Sequence, residues 1–259
     1  LRNIRFFKPF EAIVTMYGIP AHNEFDPTVL VALTYILMFG AMFGDVGQGA
    51  VITLAGLYMY FGRGSRLGWV LGCVGGSSII FGFLYGSVFG NEHLLKPVWK
   101  APMDNINQLL IISVGYGAVI IVLSIVINII NSIKARDYGR LIFDKNGLCG
   151  LIFYAGALTA ILLALSGKTA VPVPLIAGIL LVPLLLMLFR EKMEKLLLKQ
   201  HHQGDGGSFV EGFFEVFESV LGFLSNTISF VRVSAFALSH AGLALAVWTL
   251  YDMVGGAGK

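Results

Sequence analysis

The chain has 259 residues, 56% of them hydrophobic and only 13% charged, with a mean hydropathy of +0.81 and a formal net charge of +3. A soluble domain carries about 25% charged residues, so this composition excludes an ordinary soluble domain, and nothing in it points to nucleic acid. Several apolar runs are long enough to cross a bilayer, which makes the expected class all-α, a polytopic helical membrane protein.

Residues 1–27 form a membrane-approach segment, with Arg2, Arg5, Lys8, three prolines and the string YGIPAHNEFDP. They do not resemble a signal peptide. A chain that starts at Leu1 reads as a fragment or a processed product. Asp26-Pro27-Thr28 starts a helix, since proline fits the first turn. From Thr28 to Phe61 the chain is almost wholly apolar but too long for one perpendicular span. Gly44-Asp45-Val46-Gly47-Gln48-Gly49 divides it into spans at 28–43 and 47–61, a single tilted helix being the alternative.

The third span is 67–89, where Ser78, Gly82, Gly86 and Gly90 recur every four residues as a column suited to close helix contact. Spans at 108–133, 147–166 and 175–189 follow, and the last, 209–252, completes seven in a transmembrane domain of residues 28–259. With the N-terminus inside, thirteen cations from Arg2 to Lys199 lie on that side and Lys96, Lys100, Lys168 and Lys259 lie outside. That asymmetry orients the chain by the positive-inside rule and leaves the C-terminus outside.

Cys73 and Cys149 sit in apolar runs without metal or redox spacing and read as two buried thiols. Gly167-Lys168-Thr169 looks like the end of a phosphate-binding loop. The earlier glycine it needs falls on Leu162, however, and Pro172 blocks the helix that should follow. No nucleotide site, cofactor or metal is expected, and the chain should hydrolyse nothing by itself.

The stretch from Phe209 to Tyr251 contains no proline and a single cation, Arg232. As one helix it would extend roughly 64 Å, about twice a bilayer core of ~30 Å, so it must tilt or project into water. An arginine near its middle costs about 2.5–3.5 kcal/mol on insertion scales, which marks it as functional. At 100° per residue, Glu218 lies about 40° from Arg232, Ser225 and Ser239 within about 20°, Ser229 about 60° and His240 about 80° away. One face thus carries a polar track with arginine at its centre. Arginine keeps its proton, so it stays positive while a carboxylate opposite it charges and discharges, and it lowers that carboxylate's pKa. The chain offers no obvious carboxylate at that depth, which places the partner on another subunit.

FLSNTISFVRVSAFALSHAGLALAVW closely resembles the arginine-bearing helix of the V-type and A-type rotary ATPase stator subunit, called a in eukaryotic V-ATPases and I in archaeal and bacterial enzymes. MFGDVGQG at 42–49 resembles that family's M-F-G-D-x-G-H-G motif, with Gln48 where histidine is usual. PFEAIVTMYGIPAHNEFDPT resembles its segment before the first span, and SHAGLA suggests the prokaryotic branch.

The resemblance covers nearly the whole chain and implies a non-catalytic stator that partners a ring of c/K/L-type proteolipids. Arg232 would separate two half-channels, with Glu218 and His240 as half-channel residues. Asp45, Glu92 and His93 are secondary candidates, Asp45 favouring a structural helix-end role. The family also implies a cytoplasmic N-terminal domain that reaches the peripheral stalk and soluble ATPase subunits, and an eighth span with a second arginine. Both are absent from this sequence. A prokaryotic plasma membrane is the implied location. The alternative is a self-contained secondary cation transporter using Glu218, Arg232 and His240 as a relay, although no inverted repeats are visible. A purely structural scaffold is the third reading.

Overall fold

A computed structural model describes residues 4–18, 25–91, 94–99, 102–166, 173–189 and 209–256. Ten α-helices and two 3-10 turns account for the regular structure of those residues, and no β-strand occurs among them. The protein is an all-α polytopic membrane protein. Among the described residues, four helical stretches are long and apolar enough to cross a membrane, Arg66–Tyr85, Met103–Ala135, Leu141–Ala164 and Gly212–Gly255; Thr28–Met42 and Ile176–Leu188 are shorter apolar helices. The described residues fall into two compact units. One contains the N-terminal segment, residues from Asp26 to Gly115 and the chain from Phe230 onward; the other contains residues from Tyr116 to Ser229.

In the first unit, a 3-10 turn at Lys8–Phe10 leads into α1 (Glu11–Tyr17). Phe10 is fully buried and packs with Ala32, Val70 and Val74. The approach segment therefore also contributes to the core, because its apolar residues fit against α2 (Thr28–Met42) and α4 (Arg66–Tyr85). Asp26 starts α2, its Oδ1 accepting from the backbone N–H of Thr28 at 3.0 Å and from the Thr28 hydroxyl at 2.6 Å. The glycine-rich interruption divides α2 from α3 (Val46–Arg63).

Helices α3 and α4 form an antiparallel pair that meets backbone to backbone. A Cβ on Gly56 would lie 2.5 Å from the Gly72 nitrogen, and one on Gly68 would lie 2.5 Å from the Tyr60 nitrogen. The contact glycines are spaced by seven, Gly49 and Gly56 against Gly68, Gly75 and Gly82, and a spacing of seven returns to nearly the same face. This revises the four-residue column expected from sequence. Only Ser78 and Gly82 of that column lie in α4. The helix ends at Tyr85, and Gly86 follows with φ +75°, the left-handed conformation that closes helices and favours glycine.

The chain continues through α5 (Ile106–Ala135), the short α6 (Tyr138–Phe143), α7 (Leu148–Ser166) and α8 (Val173–Leu188), the last with Pro183 inside it. In the second unit α8 packs on α7 and on α9 (Phe209–Ser229).

The expected long helix is interrupted. Its ladder stops at Ser229, Phe230 is a turn, and α10 runs from Val231 to Gly256. Hydroxyls crowd the backbone around the break. Thr227 donates to the Phe223 carbonyl at 2.7 Å, Ser229 to Ser225 at 2.7 Å, and Ser234 to Val231 at 2.9 Å. Such back-bonding loosens and bends helices. The boundary between the two units falls at the same place.

Candidate functional site

The break corrects the rotational argument. Glu218, Ser225 and Ser229 belong to α9, whereas Arg232, Ser239 and His240 belong to α10, so 100° per residue cannot be counted through from one set to the other.

On α10, Arg232 is exposed and makes no hydrogen bond or ion pair with any described residue. Ser239 is likewise exposed. His240 is half-buried, with its ring edge-on to Phe43 at 6.1 Å between centroids. Its Nε2 is buried without a partner among the described residues. Beside it is a void of about 10 Å³ whose walls include Gly44, Tyr85, Ser87, Ala237 and His240. That is about the space one water needs. Just after Arg232, Ser234 is 1% exposed and its hydroxyl shares a hydrogen bond of 2.9 Å with Ser113 of α5. This pin holds the start of α10 against α5. Sequence reading missed it, because a serine among apolar residues gives no hint of a partner 121 positions away.

On α9, Glu218 is largely exposed and pairs with Lys145 at 3.1 Å. Ser225 and Ser229 are exposed, and the Ser229 hydroxyl is engaged by the backbone of its own helix. Within the same unit, the Tyr154 and Thr227 hydroxyls are hydrogen-bonded at 2.9 Å, another link invisible in the sequence.

Asp45 occupies a different environment. It is fully buried at the N-cap of α3. Its Oδ1 accepts from the backbone N–H groups of Gln48 and Phe89, both at 2.9 Å. Its Oδ2 accepts from the Gly90 N–H at 2.6 Å and the Ser87 hydroxyl at 2.8 Å. These four donors satisfy a carboxylate that burial would otherwise leave without partners. Around it the Ser78 hydroxyl donates to the carbonyl of Phe43, and the Tyr85 hydroxyl to that of Ala41 at 3.2 Å. The corner also anchors α10. The Trp248 indole N–H reaches the Phe89 carbonyl at 3.3 Å, and a Cβ on Gly90 would lie 2.3 Å from the Cβ of Ala244.

Glu92 and His93, and Gly167-Lys168-Thr169, lie outside the described residues. Among the described residues, no cluster of three or more His, Cys, Asp or Glu side chains could hold a metal.

Residues 1–108 match the model of the V-type ATPase 116 kDa subunit family. The chain is 29% identical to the A-type ATP synthase subunit I of Aeropyrum pernix, an alignment covering 96% of this chain and 42% of that protein. It is 28% identical to the A-type ATP synthase subunit I of Pyrococcus horikoshii over 99% of this chain and 38% of that protein. To the V-type ATP synthase subunit I 2 of Treponema pallidum it is 35% identical over 51% of this chain and 35% of that protein. Over nearly its whole length the chain is thus similar to subunit I of A-type ATP synthases, and over residues 1–108 to the V-type ATPase 116 kDa subunit family. It spans about two fifths of the length of these relatives.

Proposed function

We propose that this chain is the membrane part of a rotary-ATPase stator, coupling transfer of H⁺ or Na⁺ to rotation of a proteolipid ring. The observation that carries the reading is Arg232, an exposed cation on an apolar helix with no counter-charge among the described residues. A charge in such a place is costly unless something answers it. A carboxylate on a neighbouring ring would do so each time it passed. Facing Arg232, that carboxylate would lose its bound ion more readily, because a nearby positive charge stabilises its ionised form.

Arginine suits the role because it cannot donate its own proton. It repels cations that would otherwise leak along the path between the two half-channels. His240, with its unpartnered Nε2 and a void fit for one water, supports a half-channel residue on the outer side. Glu218 with Lys145 supports one on the inner side, with Ser225, Ser229 and Ser239 as further polar groups along the helices. The chain itself would be non-catalytic. Seven crossings, a cytoplasmic N-terminus, peripheral stalk contacts through a preceding domain and a prokaryotic plasma membrane belong to the same reading.

The test is Arg232→Lys in the assembled enzyme, with ATP-driven ion uptake into vesicles as readout. Lysine keeps the charge but not the planar fork of donors. Uptake should fall to background while assembly is retained. Uptake at the wild-type rate would remove Arg232 from the centre of the mechanism.

A further inference from the structure

We propose that the first unit carries a binding site for one anionic phospholipid, seated on α4 between α2 and the N-terminal segment. The inference rests on the membrane location of the chain and not on the ion-translocation reading.

An open groove of about 480 Å³ runs along α4, from Trp69 and Phe6 at one end to Ile80 and Phe81 at the other. Its floor is made of small residues, Gly72, Gly76 and Ser77. The helical rise from Trp69 to Phe81 is about 18 Å. One leaflet of a bilayer core is about 15 Å deep. The walls are almost wholly apolar, so the groove has the depth and chemistry of an acyl-chain seat.

The end of the groove at Trp69 is aromatic and then cationic. Phe6 and Trp69 meet edge-on at 5.5 Å, Tyr60 lies 5.2 Å from Trp69, and the Trp69 indole N–H donates to the Phe6 carbonyl at 3.1 Å. Aromatic rings of this kind concentrate at headgroup level. Arg5 and Lys8 flank Phe6 in the chain, Arg63 lies one turn beyond Tyr60, and Arg66 one turn before Trp69. All four cations are exposed, and none has a partner among the described residues. The carboxylates of the N-terminal segment are Glu11, Glu24 and Asp26, and Asp26 is engaged at the start of α2.

Arg66 also occupies the first position of α4, which has no acidic residue in its first turn. A helix start is electrostatically suited to an anion, not a cation. A phosphate diester placed there would answer both the helix end and the cation cluster, with its acyl chain in the groove. Cationic segments at a membrane surface gain from anionic lipids in the same way.

The experiment uses the full-length protein in its assembled complex, reconstituted in phosphatidylcholine nanodiscs with a minor share of phosphatidylglycerol. After mild detergent extraction, native mass spectrometry counts the lipids retained per copy. A Cβ on Gly76 meets nothing within 4 Å, so Gly76→Phe fills the groove without a backbone clash. A Cβ on Gly115 also meets nothing, which makes Gly115→Phe the control. Wild type and Gly115→Phe should each retain one phosphatidylglycerol in preference to phosphatidylcholine, and Gly76→Phe should lose it. Arg63→Gln with Arg66→Gln should reduce the preference by about thirtyfold. Equal retention in wild type and Gly76→Phe would overturn the site, as would equal retention of the two lipids by wild type. If Gly76→Phe does not assemble, the double arginine variant decides alone: an unchanged preference overturns the proposal.

Discussion

Asp45 and Arg232 are two charges set among apolar residues, and the chain treats them in opposite ways. The carboxylate is fully buried and takes four hydrogen bonds from its own chain. The guanidinium is exposed and donates none to the described residues. A buried charge with all its donors in place belongs to the fold. A charge left open on an apolar helix is available to something outside the chain. Within one unit the contrast sets a charge that the fold uses beside one that it leaves open, and substitutions can test how clean that difference is.

The largest expected effect is on transport. Arg232→Ala should abolish coupled ion uptake in the assembled enzyme yet shift stability by no more than about 0.5 kcal/mol, as surface changes do; a large loss of thermal stability would show that Arg232 also holds the fold. Asp45→Ala should do the reverse at the level of the fold. It removes an N-cap and strands several buried donors, costing about 3 kcal/mol or more, measurable as a lowered denaturation midpoint in detergent.

Smaller effects test the supports. Ser234→Ala and Ser113→Ala should each cost about 1 kcal/mol, and the double variant should cost less than their sum if the pair is one interaction. Smallest of all, Lys145→Ala should change stability by less than about 1 kcal/mol, because its pair with Glu218 is solvent-exposed.

The parts legible in the sequence were those with a local or compositional cost. Arg232 stood out because few reasons place an arginine in an apolar helix. The division at residues 44–49 was legible because glycines and a carboxylate interrupt a run of hydrophobics. What joins distant segments was not. Phe89 and Gly90 reach Asp45 from 44 and 45 residues away, and nothing in their neighbourhood marks them as its donors. The interruption at Phe230 was hidden for another reason. It has no proline or glycine and rests on serine and threonine hydroxyls, which pass for ordinary helix residues. The glycine spacing was misread because a four-residue column and a seven-residue seam share Gly82, and only the packing of α3 on α4 chooses between them.

The length of α2 carries one more consequence. Its fifteen residues reach about 22 Å, some 8 Å less than the thickness of a bilayer core. A connection ending in water would require the membrane to thin by that amount, at an energetic cost that grows with each ångström of mismatch. The corner at Asp45 avoids this demand. Irregular backbone is tolerated at membrane depth where protein covers it, and here the capping carboxylate and the overlying Trp248 provide that cover. A turn covered in this way removes the need for the membrane to thin to the length of α2.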